Sequence, residues 1–262
     1  MNCEICLRHH LKRPVSFLSF DSFKTVLDSH RFTFVSLHGW GEPLLNRELF
    51  KMIEYAESRG MITELTTNGT LIRENIDQIL ESGLSEIAVG VYNRDAFLKI
   101  MPQLKDLISA KRDRDSVRPK TYLDITVYQK SLSQIPDLVC LASETGVDAV
   151  ILHRLFSVYG VDDRIQYISK EAEDTLFAET HRLTKRLGLE LHLPPRHSRP
   201  CYVVKHSIFV DAEGRVTPCC FLPEFFIGNS FKLPLGKIID STEYRTFVKG
   251  MKENPVCSKC RW

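Results

Sequence analysis

Residues 201–220 read CYVVKHSIFVDAEGRVTPCC, a segment in which cysteines flank two short apolar runs separated by a turn sequence. The pattern predicts a β-hairpin with strands at 206–210 and 215–218. The hairpin returns one cysteine towards another, and a CxxC at the end of the chain supplies two more. We expect four thiolates to meet, which suits either tetrahedral zinc or an iron–sulfur cluster. The four cysteines are Cys201, Cys219, Cys257 and Cys260.

The composition narrows the class of protein. With 262 residues and 43% hydrophobic content, the chain can bury the core of one domain plus an appendage. A net charge of +2 makes no strong case for nucleic acid. The sequence has neither a signal-peptide pattern nor an apolar run of about 18 residues, so we expect a cytoplasmic protein without a membrane segment. Because thiols stay reduced in the cytoplasm, the eight cysteines favour metal or cluster binding over disulfides. We expect Cys140 to be a core residue of an apolar helix.

Between the chain ends, β-rich apolar runs alternate with helical patterns, which predicts βαβ units and a parallel sheet. Six units in succession predict an α/β fold, a partial (β/α)6 TIM-type barrel with its active site at the carboxyl ends of the strands. The expected strands are residues 32–38, 62–67, 86–92, 122–128, 148–155 and 189–193. The expected helices are residues 21–30, 47–59, 71–82, 94–110, 132–145 and 170–187.

Two glycine-containing loops follow the first two strands, at residues 38–43 and 66–70. Their glycines allow the backbone to approach a ligand closely, although such residues are also ordinary turn formers. A second CxxC, Cys3 to Cys6, lies near the start of the chain. Taken alone, it suits half of a zinc site with the histidines that follow it.

Together these segments resemble the radical S-adenosylmethionine (radical SAM) superfamily. Cys3-Glu4-Ile5-Cys6 resembles the tail of its CxxxCxxC motif, Trp40-Gly41-Glu42-Pro43 its GGEP motif, and Thr66-Thr67-Asn68-Gly69 its TNG segment. The end of the chain is similar to the SPASM/Twitch appendage, in the smaller Twitch form that binds one auxiliary 4Fe–4S cluster. The resemblance implies a radical SAM barrel over residues 1–195 and an auxiliary-cluster domain over residues 196–262.

The resemblance also implies the site residues. Ile5 would cover the cluster or the adenine, the loop at 39–43 would receive the SAM ammonium, and Glu42 would fix that loop through hydrogen bonds. Thr126 and Leu155 are weaker candidates for ribose and adenine contacts, and either is equally consistent with a core residue. The expected SAM contacts are Ile5, Gly39, Trp40, Gly41, Glu42, Pro43, Thr67, Asn68, Thr126 and Leu155. The expected cluster ligands are Cys3 and Cys6 at the radical site and Cys201, Cys219 (or its neighbour Cys220), Cys257 and Cys260 at the auxiliary site.

The implied activity is reductive cleavage of SAM at a 4Fe–4S cluster to a 5′-deoxyadenosyl radical, which abstracts hydrogen from a substrate. We expect oxidation or rearrangement of a small molecule, with flavodoxin or ferredoxin as the electron donor. One alternative is a SPASM-type maturase that modifies a peptide or protein. Another, of a different class, is a non-catalytic protein that binds zinc or a single cluster. No catalytic side chain is assigned, although Tyr92, His153 and Arg154 are expected at the active rim, where they would orient a substrate or carry a proton.

The sequence departs from the family pattern at several positions. The first cysteine of CxxxCxxC falls two positions before Met1, and the family's first strand falls earlier still. We expect that the start codon has been assigned too late. The alternative is a degenerate protein that has lost the radical cluster and is inactive as written. Trp40 replaces the first glycine of GGEP, and Gly90-Val91-Tyr92 stands where a polar residue is common.

Overall fold

The computed structural model describes residues 5, 6, 8, 11, 15–156, 167–195 and 201–260. Six parallel strands form one sheet whose spatial order follows their order in the chain. Helices connect successive strands, so the sheet is the partial barrel that the alternating pattern predicts. Within the described ranges no helix is both long enough and apolar enough to cross a membrane. The strands of the sheet are β1 Phe34–Ser36, β2 Ile62–Thr67, β3 Glu86–Val91, β4 Lys120–Val127, β5 Ala149–Arg154 and β6 Glu190–His192.

The helices of the barrel lie close to their expected positions. α4 and α6 each begin after a polar N-cap, because Asn93 and Ser169 accept hydrogen bonds from the backbone N–H groups of Ala96 and Ala172. The expected helix at 71–82 divides into a 3-10 turn, Arg73–Asn75, followed by α3. The helices are α1 Phe20–Asp28, α2 Leu49–Ser58, α3 Ile76–Glu81, α4 Arg94–Asp113, α5 Ile135–Thr145 and α6 Lys170–Leu187.

Alternation along each strand separates two faces of the sheet. One face packs against the helices and forms the main core, where side chains such as Leu65, Leu123 and Leu152 are fully buried. The residues between them point to the opposite, concave face. Burial of the apolar face supplies most of the stabilisation, and it leaves the polar side chains of the concave face available for a site.

The C-terminal part is a small separate sheet with three short helices. Its antiparallel strands are β7 Phe209–Val210, β8 Arg215–Thr217 and β9 Gly228–Asn229, in that order. The expected hairpin is therefore confirmed, although its first strand is shorter than expected because His206 ends a helix. The helices are α7 Tyr202–His206, α8 Leu235–Ile239 and α9 Thr242–Gly250.

The hairpin turn is held by Asp211. Its carboxylate accepts hydrogen bonds from the backbone N–H groups of Glu213 (3.0 Å) and Arg215 (2.9 Å), and from Nε of Arg215 (2.7 Å). Gly214 has a φ of +74°, and the ring of Phe231 lies where a Cβ would stand, so the turn requires glycine here. These bonds fix the positions of the two strands that separate Cys201 from Cys219.

The C-terminal part packs against the barrel rather than standing apart from it. Val26 of α1 is buried together with Val216, Leu235 and Ile238. The backbone N–H of Leu235 also donates to Oγ of Ser29, 3.3 Å away. The cysteines of the C-terminal part are therefore fixed relative to the barrel through a shared apolar cluster.

Candidate functional site at the carboxyl edge of the sheet

The loop after β1 is tied to the end of β2 by the carboxylate of Glu42. Its Oε1 accepts hydrogen bonds from the hydroxyl of Thr67 (2.7 Å) and the backbone N–H of Leu44 (3.1 Å). Its Oε2 accepts from the backbone N–H of Asn68, 2.8 Å away. Charge-assisted bonds of this kind are among the stronger hydrogen bonds in proteins. Glu42 thus holds the two loops together, which is the loop-fixing role inferred from the sequence, while its place in a SAM site stays a prediction.

The segment after β2 forms a tight turn whose polar side chains bond to one another. The Thr67 hydroxyl accepts from the N–H of Gly69 (3.1 Å), and Asn68 Oδ1 accepts from the N–H (2.9 Å) and hydroxyl (2.6 Å) of Thr70. Gly69 has a φ of +80°, and a Cβ there would lie 3.1 Å from Val89. The sequence Thr-Asn-Gly is therefore what this backbone requires.

Space is left open beside Gly41, in the middle of the first loop. A Cβ built at Gly41 would meet no atom within 4 Å, whereas one at Gly39 would lie 3.4 Å from the ring of Phe209. The two glycines thus differ, since Gly39 is covered by the C-terminal domain and Gly41 faces an open region. Pro43 begins a short 3-10 helix, Pro43–Leu45, that Glu42 caps.

Two expected SAM contacts that are far apart in the sequence meet in one apolar cluster. Ile5, from the N-terminal CxxC, packs with Leu155 and Tyr128 at the carboxyl ends of β4 and β5. Leu155 is 2% exposed, as a core residue would be. Cys6 is half-buried, and Cys3 lies outside the described residues. The structure therefore brings the CxxC segment to the expected edge of the sheet.

Thr126 lies on the concave face of β4 and is half-buried. It pairs with His153 of β5, and its carbonyl accepts a hydrogen bond from Ser131 Oγ, 3.0 Å away. Both Thr126 and Leu155 thus lie near the strand ends, and their contacts to SAM stay predictions.

His153 and Arg154, expected together at the rim, point to opposite faces of the sheet because they are adjacent in a strand. Arg154 faces the helices, where its guanidinium binds both carboxylate oxygens of Glu173 at 2.7 and 2.9 Å. His153 faces the concave side, with Nδ1 located 2.7 Å from Oδ1 of Asp124. Arg154 therefore has a structural role, and of the two residues only His153 lies on the concave face.

Trp40 connects the first loop to the C-terminal domain. Its indole N–H donates to the carbonyl of Cys220 at 3.2 Å, and its ring lies against Phe221 with centroids 5.8 Å apart. Phe221 also stacks on Phe156, just beyond β5, with centroids 3.9 Å apart and planes 12° apart. The segment that contains Cys219 and Cys220 therefore covers the carboxyl edge of the sheet.

Three of the four cysteines expected to bind the auxiliary cluster lie around one apolar cluster of the C-terminal domain, and their role as ligands stays a prediction. Cys201, Cys219 and Cys257 pack around one apolar cluster that includes Phe247 and Met251. The seven cysteines within the described ranges are all free thiols, which agrees with the expectation against disulfides. The described residues contain no set of three His, Cys, Asp or Glu side chains arranged to hold a single metal ion. A donor set made only of thiols suits either an iron–sulfur cluster or a tetrahedral zinc ion.

Cys219 and Cys220 share a hydrogen bond between their thiols. This bond raises the pKa of Cys219 and lowers the pKa of Cys220, and the charge of Cys260 acts on Cys220 as well. The Cys219 sulfur also accepts from the N–H of Phe221, 3.4 Å away. Both thiols are thus close to the other cysteines, and the structure leaves the choice of ligand between them open.

Comparison with known proteins agrees with this geometry. Residues 201–261 match the SPASM family, described as an iron–sulfur cluster-binding domain. Over 241 residues the chain is 23% identical to the tungsten-containing aldehyde ferredoxin oxidoreductase cofactor-modifying protein of Pyrococcus furiosus and 25% identical to the PqqA peptide cyclase of Gluconobacter oxydans. Each alignment covers 84% of this chain and 67% of the relative. Across the curated relatives that it matches, the chain spans between 35% and 67% of their length.

The fold is also that of a solved structure, Streptococcus suis SuiB bound to S-adenosylmethionine. The TM-score is 0.76 at 17% identity, with 98% of this chain and 67% of SuiB covered. In its barrel fold and in these relatives the chain is similar to radical SAM enzymes. Its C-terminal residues 201–261 match the SPASM iron–sulfur cluster-binding domain.

Several residues of this region were not identified from the sequence. Asp124 had a usable signal, because a carboxylate within the apolar strand Leu-Asp-Ile-Thr-Val is unusual unless it serves a site. No sequence pattern marks Phe209, Phe221 or Phe156 as part of this region. Their contacts join segments that are distant in the chain and depend on how the two domains pack.

Proposed function

We propose that the chain binds SAM and a 4Fe–4S cluster at the carboxyl edge of its barrel and initiates radical chemistry on a substrate. The observation that carries the proposal is the Glu42 carboxylate, which joins the loop at 39–43 to Thr67 and Asn68. The N-terminal segment reaches the same loop, because Arg8 donates a hydrogen bond to the carbonyl of Trp40 at 3.1 Å. When bound, the cluster supplies an electron for reductive cleavage of SAM to a 5′-deoxyadenosyl radical, which abstracts hydrogen from the substrate. The other contributions come from the chain's own residues.

Each part of the loop region has a distinct role in this proposal. Cys3 and Cys6 would hold the cluster, and the backbone of the loop would orient the SAM amino group in the open space beside Gly41. Thr67 and Asn68, already fixed by Glu42, would contribute polar contacts. Such preorganisation lowers the entropic cost of holding the reactants in a reactive orientation.

Apolar residues would exclude water from the reacting atoms. Ile5, Leu155 and Tyr128 form an apolar cluster at one side of the site. Phe221 and Phe156 stack at the same edge of the sheet, where the C-terminal domain covers it. Exclusion of water protects a reactive radical from side reactions.

We place the boundary between the barrel (1–195) and the auxiliary domain (196–262) close to the start of the SPASM match. Cys201, Cys257, Cys260 and one of the Cys219–Cys220 pair would hold an auxiliary 4Fe–4S cluster. With four protein thiolates it would have no open iron for substrate. Its role would then be to accept an electron from the substrate or to stabilise the domain.

We propose oxidation or rearrangement of a small molecule as the reaction class. Modification of a peptide is the second candidate, supported by the similarity to a PqqA peptide cyclase. Flavodoxin or ferredoxin would supply the electron, and the free thiols of the described residues are consistent with a reducing, cytoplasmic environment.

Iron content tests whether two cluster sites exist. The chain would be reconstituted anaerobically beside a form extended by an N-terminal strand with a cysteine two positions before Met1. We expect about eight irons per chain in the extended form, equivalent to two 4Fe–4S clusters. About four irons per chain in both forms would mean that the protein binds only one cluster. Zinc in place of iron would support the non-catalytic alternative.

A further inference from the structure

Three ionisable side chains lie on the concave face of the sheet, below the loops assigned to SAM. Strand alternation puts Glu64 of β2, Asp124 of β4 and His153 of β5 on this face, because Leu65, Leu123 and Leu152 beside them pack against the helices. None of the three is needed to hold the cluster or SAM in the proposal above. Their position at mid-barrel is where a substrate would lie.

The strand between them carries the smallest side chains. Ala88 and Gly90 are the inward-facing residues of β3, and a Cβ built at Gly90 would lie 3.8 Å from Thr66 Cγ2. The groove is closed at the level of Ala88 by Tyr122 and Ala149, which align with Ala88 on β4 and β5 and are buried together with it. Glu64 of β2 and Asp124 of β4 thus flank the shallow groove that these small side chains leave on β3, and the charges of both carboxylates act on His153.

Asp124 is buried without adequate hydrogen bonding. The residue is 8% exposed, and its Oδ1 receives no well-aligned hydrogen bond from the described residues, although Nδ1 of His153 lies 2.7 Å away. An unsatisfied buried carboxylate oxygen is costly and is rarely retained without a use. The oxygen therefore marks a position where a hydrogen-bond donor from outside the chain would be stabilised.

The groove has a net negative charge. Glu64 accepts a hydrogen bond from Ser36 Oγ at 2.6 Å, and no described Lys or Arg forms an ion pair with Glu64 or Asp124. Two cations on the neighbouring strands pair with other carboxylates, Lys120 of β4 with Glu190 at 2.7 Å and Arg154 of β5 with Glu173. Burial lowers the pKa of His153, but the charges of Asp124 and Glu64 and the close contact with Asp124 outweigh burial, so the net shift of this pKa is upward.

We propose that Glu64, Asp124 and His153 form a substrate subsite that binds a cationic nitrogen, an ammonium or guanidinium group. The proposal rests on the proposed function only in taking the concave face as the substrate site. A cation placed between the two carboxylates would satisfy Asp124 Oδ1 and neutralise the groove. It would also repel a protonated His153, so ligand binding and deprotonation of the imidazole would be coupled.

The test uses a simple cation and its neutral counterpart on the holoprotein with oxidised clusters. His153 is followed by NMR in protein labelled at the histidine Cε1, and assigned with His153→Gln. We expect n-butylammonium to lower the pKa of His153 by at least about half a unit, and n-butanol to leave it unchanged. The charged groups that act on this pKa are Asp124 and Glu64. Glu86 and Lys120 lie in register with Glu64, and Tyr122 lies two residues after Lys120 on the same strand.

Variants locate the effect. Asp124→Asn and Glu64→Gln should each abolish the difference between the two probes, whereas Glu54→Gln on the exposed face of α2 should preserve it. Equal responses to the two probes, or a difference that survives Asp124→Asn, would overturn the subsite. A tenfold loss of SAM affinity in Asp124→Asn would also overturn it, by making the group part of the SAM site. Because no turnover is measured, a failure of SAM cleavage would count against the proposed function alone.

Discussion

The indole N–H of Trp40 donates a hydrogen bond to the carbonyl of Cys220, 3.2 Å away and 180 residues further along the chain. Trp40 belongs to the loop assigned to SAM, and Cys220 neighbours an expected ligand of the auxiliary cluster. The ring contact with Phe221 reinforces the bond. The two cofactor regions are therefore in direct contact at a position where the family motif has glycine.

The Trp40 contact should contribute measurably to the stability of the whole chain. Trp40→Phe keeps an aromatic ring but loses the hydrogen bond, so we expect a decrease of about 1 kcal/mol in the free energy of unfolding. Trp40→Ala also loses the ring packing, and we expect about 2 kcal/mol in total. Urea unfolding of the three proteins measures both values.

Leu233→Ala is the matched control for these variants, because Leu233 is 53% exposed in the C-terminal domain. We expect a change within about 0.5 kcal/mol. Equal stabilities of Trp40→Ala and the natural protein would mean that the contact contributes nothing to the packing of the two domains.

Glu42→Gln should weaken SAM binding strongly. A carboxamide has only one acceptor oxygen, so it cannot receive the bonds from Thr67, Asn68 and Leu44 together, and its NH2 group would face another donor. With the loop no longer fixed, we expect SAM affinity to fall by about tenfold or more, equivalent to at least 1.4 kcal/mol. Equilibrium dialysis with labelled SAM measures it, and Glu54→Gln should bind SAM normally. Unchanged affinity in Glu42→Gln would remove this loop from the SAM site.

The auxiliary cluster should depend on the converging cysteines and not on Cys140. Cys201→Ser and Cys257→Ser should each lose about four irons per chain, the content of one 4Fe–4S cluster. Cys140→Ser, in α5 of the barrel, should retain full iron content. Between the neighbouring thiols, we expect Cys219→Ser to lose iron and Cys220→Ser to keep it. The opposite result would assign the ligand to Cys220.

Glu57 should make stability depend on pH. Burial raises the pKa of Glu57, but the bonds from Ser85 and Thr63 and the charge of Arg118 outweigh burial, so the pKa lies below the ordinary value of 4.5. A lowered pKa in the folded state adds stability above the unfolded pKa, and this contribution is lost as the pH falls through the folded value. Glu57→Gln should therefore unfold more easily at pH 7, by about 1–3 kcal/mol, with a flatter profile between about pH 5 and 3. A profile parallel to that of the natural protein would contradict this.

Local patterns were sufficient to predict the alternating strands and helices. The strands from β2 to β5 match closely because their apolar residues must face the helices. β1 is shorter than expected, three residues in place of seven, because among the described residues it is the edge strand of the sheet, with Phe34 45% exposed. Glu42 and the Thr67–Asn68 segment were identified because their motif is local.

Contacts between distant segments could not be predicted in this way. The sequence places His153 and Arg154 side by side, and only the direction of each side chain in β5 shows that Arg154 binds Glu173 while His153 meets Asp124. The Trp40–Cys220 bond depends on how the C-terminal domain packs on α1 through Val26. Such packing follows from many weak apolar contacts rather than from any short motif.

The formation of 5′-deoxyadenosine tests the central claim most directly. The form with the N-terminal extension would be reconstituted with iron and sulfide, reduced, and supplied with SAM. We expect 5′-deoxyadenosine to form, and to fall below detection when Gly41→Trp fills the open space beside the loop, where a Cβ meets no atom of the described residues within 4 Å. No 5′-deoxyadenosine from a protein that holds both clusters, or equal amounts from the Gly41→Trp variant, would contradict the assignment of the SAM site.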